Sequence, residues 1–114
     1  LDEISPYAKT NVLQINDNKI TKITIDPKEL NINAEGFDNL LGDDADYNAN
    51  KIINIFKGED NDFSKAVCLN TAAGLIVVEK YSKFIDAYKF AREHILSGKA
   101  FKLLENIQKD AWIF

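Results

Sequence analysis

The sequence predicts an α+β fold, a β-hairpin followed by about four helices. Three observations carry this. The β-branched runs 10–15 and 19–25 flank the triplet Asn16-Asp17-Asn18, whose residues tolerate left-handed backbone angles. From Asp43 onward the apolar residues recur at helical spacing rather than alternating. Gly58 and Gly98 then fall where helices would stop. With 114 residues, 46% of them hydrophobic, the chain is one domain or part of one and can bury a core.

Residues 1–9 read as a loop or short strand, with Pro6 holding Ser5 extended. The hairpin covers residues 10–26 and stops at Asp26-Pro27. Ile20, Ile23 and Ile25 break strict alternation, so a bulge or a partly buried second face is expected. Residues 28–41 form a loop with a helical turn at 27–30 or 37–41. The first helix spans 43–57, with Asp43 or Asp44 as its cap. Ala45, Ala49, Ile52, Ile53 and Phe56 fall on one face. The second helix spans 62–80 and is apolar almost all round, the pattern of a central buried helix. Gly74 costs it about 1 kcal/mol relative to alanine, which a close helix–helix contact would justify. The third helix, 83–97, is expected to be capped by Ser82, with Phe84, Ile85, Tyr88, Ala91 and Ile95 inward. After Ser97-Gly98, the fourth helix (99–109) turns Ala100, Leu103, Leu104 and Ile107 to one side. The tail Trp112-Ile113-Phe114 is expected to pack back onto the body.

Composition narrows the function. The net charge is −4, Arg92 is the sole arginine and no Lys/Arg cluster stands out, which argues against nucleic acid as a partner. The apolar stretch from Ala66 to Val78 is too short for a membrane span of roughly 18 residues or more. Cys68 is the single cysteine, lies in an apolar run and reads as a core residue in a reducing, cytoplasmic setting. One Cys and one His, His94, exclude a Cys/His zinc site. No acid–His–nucleophile set can be assembled for a hydrolytic triad. The isolated glycines form no phosphate-cradling loop.

The residues with chemistry to offer are few. Asp2 and Glu3 supply adjacent hard oxygen donors of the kind Mg²⁺ prefers. The competing reading is a solvated acidic end. Asp43, Asp44 and Asp46 resemble part of a calcium loop, but its glycine and terminal glutamate are missing. Ser5 could assist the acidic pair or stabilise a turn. Asn70 sits in an apolar helix, so it must find partners, and a neighbouring loop is the expected one.

Four segments then fall in a telling order: Leu1-Asp2-Glu3-Ile4-Ser5, Gly42-Asp43-Asp44-Ala45-Asp46-Tyr47-Asn48-Ala49, Leu69-Asn70-Thr71-Ala72-Ala73 and Ser97-Gly98-Lys99-Ala100. Together they resemble the carboxy-terminal part of the anthranilate phosphoribosyltransferase family, from Leu1 to about Ile107. The resemblance implies that the fold is part of a larger α/β catalytic domain of the phosphoribosyltransferase and nucleoside phosphorylase type. It implies an enzyme of tryptophan biosynthesis that transfers phosphoribosyl from phosphoribosyl pyrophosphate to anthranilate. In it, Asp2 and Glu3 would coordinate Mg²⁺, while Asp44, Asn48 and Asn70 would be structural. The segment departs from the family's Gly-Gly-Asp-x-x-x-Asn-Ala pattern at Asp43, which replaces the second glycine.

The resemblance further implies a cytoplasmic homodimer. The family's phosphate-binding and anthranilate-contacting segments precede its acidic pair. Leu1 opens the chain and the sequence has no Met, so the chain is expected to be the last third or so of the enzyme, with no catalytic residue of its own and no activity alone. The alternatives are a nucleoside-phosphorylase-like paralogue and a non-catalytic helical interaction module.

Overall fold

The computed structural model describes residues 2–111; the expected packing of the 112–114 tail lies outside them. Strands β1 (Thr10–Asn16) and β2 (Lys19–Ile25) are followed by helices α1 (Ala45–Phe56), α2 (Asp62–Val77), α3 (Phe84–Leu96) and α4 (Lys99–Asp110). A single 3-10 turn, Phe37–Leu40, lies in the loop before α1.

Asp17 and Asn18 adopt positive φ of 47° and 63°, the pair of left-handed residues a tight hairpin turn requires. The ladder runs unbroken from Thr10 opposite Ile25 to Asn16 opposite Lys19, so the hairpin has no bulge. The broken alternation has another cause. Both faces are apolar in part. Val12, Ile23 and Ile25 share one face, which borders a groove of about 250 Å³ against Ala73, Ile76 and Val77 of α2. Leu13, Ile15 and Ile20 share the other and are exposed.

The core forms where α2 meets α3. Cys68, Leu69 and Ala72 pack with Ala87, Tyr88, Ala91 and Ile95, joined by Ile55 of α1 and Ile32 of the loop. Leu69, Ala72 and Ala87 are completely buried. Each large apolar side chain removed from water in this way contributes about 1.5–3 kcal/mol. The alanines let the two helices approach closely. Burial pushes the Cys68 thiol up to about 11 and the Tyr88 phenol up to about 12, so both stay neutral at physiological pH.

Helix ends follow local chemistry. Asn61 and Ser64 form a reciprocal capping box at the start of α2, Asn61 Oδ1 accepting from Ser64 N and Ser64 Oγ from Asn61 N, both at 3.0 Å. Gly58 ends α1 with φ 101°, and the amides of Gly58 and Glu59 return to the carbonyls of Ile55 and Asn54. The same arrangement ends α2 without a glycine. Glu79 takes φ 57°, and Lys80 N donates to Leu75 O at 3.0 Å. This is why α2 stops at Val77 rather than at Lys80.

Two other expectations need correction. Ser82 does not cap α3; Lys83 occupies that position, with no side-chain bond. Gly74 faces solvent, and a Cβ there would meet nothing within 4 Å, so no close helix contact explains it. In α1 the buried residue is Ile55, whereas Ala45, Ala49 and Ile52 are exposed, because α2 and α3 meet the helix on its Ile55 side. In α4 no residue is buried; Ala100 touches the core, but Leu103 and Ile107 stay more than half exposed.

The loop before α1 is tied to α2 by one carboxylate. Asp62, 5% exposed, accepts from Glu35 N at 2.8 Å, Asn39 Nδ2 at 3.3 Å and Lys65 Nζ at 2.8 Å. Lys65 Nζ also donates to Asn33 O at 2.6 Å. Burial pushes the Asp62 carboxyl up, but the Lys65 ammonium and the two amide donors outweigh it, and the net shift is downward. Asp26 is lowered too, by the Lys9 ammonium 3.0 Å away and by the Lys28 N–H.

Three outcomes follow from this packing. Leu69→Asp places an unpartnered carboxylate in the core and should cost more than about 4 kcal/mol, whereas Lys89→Asp on the exposed side of α3 should stay within about 0.5 kcal/mol. Thermal melts of the two variants compare them, and similar small shifts would overturn the core assignment. Gly74→Ala should raise stability by about 1 kcal/mol, read from the denaturation midpoint. Acid should unfold the chain in a defined direction. Carboxyls depressed in the folded state keep their stabilising effect above the unfolded value of about 3.9 and lose it as pH falls through the folded value. Stability should therefore decline below about pH 4, and Asp62→Asn should make that decline shallower. Parallel curves for the two proteins would exclude Asp62 as a contributor.

Candidate functional site

The acidic pair stands on a short segment that leads into β1. Asp2 and Glu3 are both exposed. Behind them the chain dives inward, and Ser5 and Pro6 are buried. Ser5 Oγ accepts from Tyr7 N at 3.3 Å and Ala8 N at 3.1 Å, so this hydroxyl closes a turn. Ser5 N donates to Thr10 Oγ1 at 3.1 Å, which ties the turn to the first residue of β1.

Asn70 reaches this segment from the middle of α2. Its Oδ1 accepts from Ile4 N at 3.0 Å, and its Nδ2 donates to Ile4 O at 3.2 Å. The second hydrogen of Nδ2 goes to Ala66 O, one turn back in α2, at 2.9 Å. The amide thus pairs with one residue's backbone as a neighbouring strand would. The sequence gives Asn70 a loop partner, and that loop is the one carrying the acidic pair. Beside it lies an apolar pocket of about 250 Å³, lined by Glu3, Ile4, Pro6, Phe63, Val67 and Asn70 among others.

Asp44 and Asn48 lie elsewhere, at the start of α1. Asp44 Oδ1 accepts from Tyr47 N at 2.8 Å and is the N-cap. Asn48 closes the preceding loop: Oδ1 accepts from Asp43 N at 3.1 Å and Nδ2 donates to Asp43 O at 2.8 Å. A Cβ on Gly42 would come within 2.8 Å of Asn48 Oδ1, so a side chain there would displace the amide that closes the loop. Asp43 needs no such freedom. Its φ is not positive, and its side chain accepts from Asp44 N at 2.9 Å. A residue with a side chain therefore fits where the family pattern has its second glycine.

Among the described residues, no group of three or more His, Cys, Asp or Glu side chains is placed to hold a metal ion. Asp43, Asp44 and Asp46 do not form a cation loop. Asp2 and Glu3 suit a different kind of site. Two exposed carboxylates on an anchored backbone leave most coordination positions to water and phosphate oxygens, which is how Mg²⁺ is commonly held.

A second polar region was not anticipated. A cleft of about 430 Å³ is lined by Glu35, Asp38, Glu59, Asp60 and Asp62 together with Lys51 and Lys65. Several of its charges are engaged internally. Asp60 pairs with Arg92, Asp62 with Lys65, and the Lys51 ammonium lies 5.4 Å from the Tyr47 ring and 5.5 Å from that of Phe63. The signal for it was the Asn61-Asp62-x-Ser64 capping sequence, which fixes Asp62 at the first turn of α2. The His94 ring lies tilted against that of Phe90 with centroids 5.7 Å apart, and no described helix is long and apolar enough to cross a membrane.

The chain is 69% identical over 108 residues to an anthranilate phosphoribosyltransferase of Pelagibacter ubique, an alignment covering 95% of the chain and 33% of that protein. It is 39% identical to the enzyme of the same name from Petrotoga mobilis, covering 94% of the chain and 31% of the relative. For that of Clostridium beijerinckii the identity is 35%, with 94% and 32% covered. The chain thus spans about a third of the length of the curated relatives it matches. Residues 1–101 match the model of the glycosyl transferase family, a/b domain, and the chain belongs to that family.

Proposed function

We propose that this chain is the carboxy-terminal part of an anthranilate phosphoribosyltransferase, a cytoplasmic enzyme of tryptophan biosynthesis. The reaction joins the anthranilate amine to the anomeric carbon of phosphoribosyl pyrophosphate. It yields N-(5′-phosphoribosyl)-anthranilate and releases pyrophosphate. The observation that carries the reading is the anchored acidic pair, set on a segment that two Asn70 hydrogen bonds fix to the buried helix. The relatives' shared name supplies the substrates.

In this reading Asp2 and Glu3 hold Mg²⁺, which when bound would neutralise charge on the departing pyrophosphate. The chain's own residues do the positioning. Ser5 and Thr10 shape the turn below the pair. Asp44 and Asn48 set the start of α1 and hold no substrate. The phosphate and anthranilate contacts belong to other parts of the enzyme, which acts as a homodimer. The 114 residues alone should therefore transfer nothing.

A chimera tests this directly. The matching third of the Pelagibacter ubique enzyme is replaced by this chain, a swap that 69% identity favours. The chimera should consume anthranilate, followed by its fluorescence, while the isolated chain stays at the buffer rate. Asp2→Asn with Glu3→Gln in the chimera should reduce turnover at limiting Mg²⁺ by about 10-fold or more, the usual scale for losing metal support. A folded chimera with no activity would sink the proposal. Full activity of the double variant at limiting Mg²⁺ would remove the metal role.

A further inference from the structure

We infer that Asn70 is a positioning residue for the acidic pair, fixing the backbone on which Asp2 and Glu3 stand. The inference rests on the function proposed above and adds a residue to its machinery. Three features of the geometry carry it.

The first is that one amide satisfies both backbone groups of Ile4, the residue directly after Glu3. A side chain with an acceptor and a donor side by side can do this. A hydroxyl, a carboxylate or an aliphatic group cannot reproduce the pair. The second is that Asn70 is itself held. Its remaining amide hydrogen goes to Ala66 O, and its neighbour Leu69 is completely buried, so the helix presents the amide from a fixed place. The third is that Asp2 and Glu3 have no other polar tie of this kind. Among the described residues, Ile4 is the one point between 2 and 4 where a hydrogen bond joins the segment to the helices, across 66 positions of sequence. Ser5 and Thr10 bind the chain only to the hairpin.

Loss of the amide should therefore loosen the pair without dismantling the core. Metal ligands bind well only when their supporting contacts hold them in place, and removing such support typically costs 10- to 100-fold in metal affinity or activity. The affected quantity should be the Mg²⁺ requirement, with anthranilate recognition left alone.

Two measurements test this. In the 114-residue chain, Asn70→Ala should accelerate hydrogen exchange at the Ile4 amide by about 10-fold or more, the change expected when its one acceptor is removed. The amides of Leu69 and Ala72 should keep their protection. In the active chimera, the same substitution should raise the half-saturating Mg²⁺ concentration by about 10-fold. The KM for anthranilate should hold, and excess Mg²⁺ should recover part of the rate. If Asn70→Ala does not fold, Asn70→Leu carries both comparisons, since it keeps the bulk and removes the acceptor and the donor together. An unchanged Mg²⁺ requirement in a folded variant of an active chimera would overturn this inference alone. So would unchanged exchange at Ile4. A wild-type chimera without activity would remove the functional reading and this inference together.

Discussion

The seam between α2 and α3 is the constraint on which the rest of the molecule depends. Leu69 and Ala72 on one side meet Ala87 and Ala91 on the other, with Cys68 and Tyr88 closing the gap. Small residues at these positions bring the helix backbones close, and close packing recovers dispersion energy that a looser contact would forfeit. Two polar anchors are then hung from α2. Asp62 at its first turn holds the loop before α1, and Asn70 near its middle holds the segment before β1. A rigid α2 is thus what gives the exposed Asp2 and Glu3 a defined position. The seam supplies that rigidity.

The acidic residues divide by how much of their hydrogen-bonding capacity is used. Asp44 caps α1, and Asp62 accepts from three donors. Asp26 accepts from Lys9 and from a backbone amide. Such carboxylates have their lone pairs committed to the fold, and a cation would have to compete with existing partners. Asp2 and Glu3 have no hydrogen-bond or ion-pair partner among the described residues. Their backbone is held, while their carboxylates are free. Asp46 is exposed and without such a partner among the described residues too, so what sets Asp2 and Glu3 apart is their adjacency on a segment tied to α2.

What the sequence made legible was local. The hairpin turn followed from Asn16-Asp17-Asn18, since two left-handed residues in succession are tolerated by few residue types. The helices followed from period and from Gly58 and Gly98, and Asn70 could be marked because a polar amide in an apolar helix needs partners. What was not legible depended on contacts between elements. The apolar pattern of α1 gives several possible inner faces, and the approach of α2 and α3 selected the one with Ile55. Gly74 invited a packing explanation that its surroundings do not supply. Glu79 ends α2 in a conformation usually reserved for glycine, so no stop signal stood in the sequence. Asp62 was hidden because its partners Glu35 and Asn39 lie 27 and 23 positions away in the sequence.

The same reasoning accounts for the apolar side chains left uncovered. Leu103 and Ile107 lie on the inner side that the periodicity of α4 assigns, yet both are more than half exposed. Leu13, Ile15 and Ile20 alternate outward on the hairpin as a sheet face should. Val77 at the end of α2 is 80% exposed. These residues obey the periodicity of their elements and lack only the surface that the pattern calls for. An amphipathic pattern encodes a requirement for cover, and the identity of the covering element is a separate piece of information. Pattern and burial part company in α4 and in the hairpin. In α2 and α3 the covering element is present, and there pattern and burial agree at Leu69, Ala72, Ala91 and Ile95.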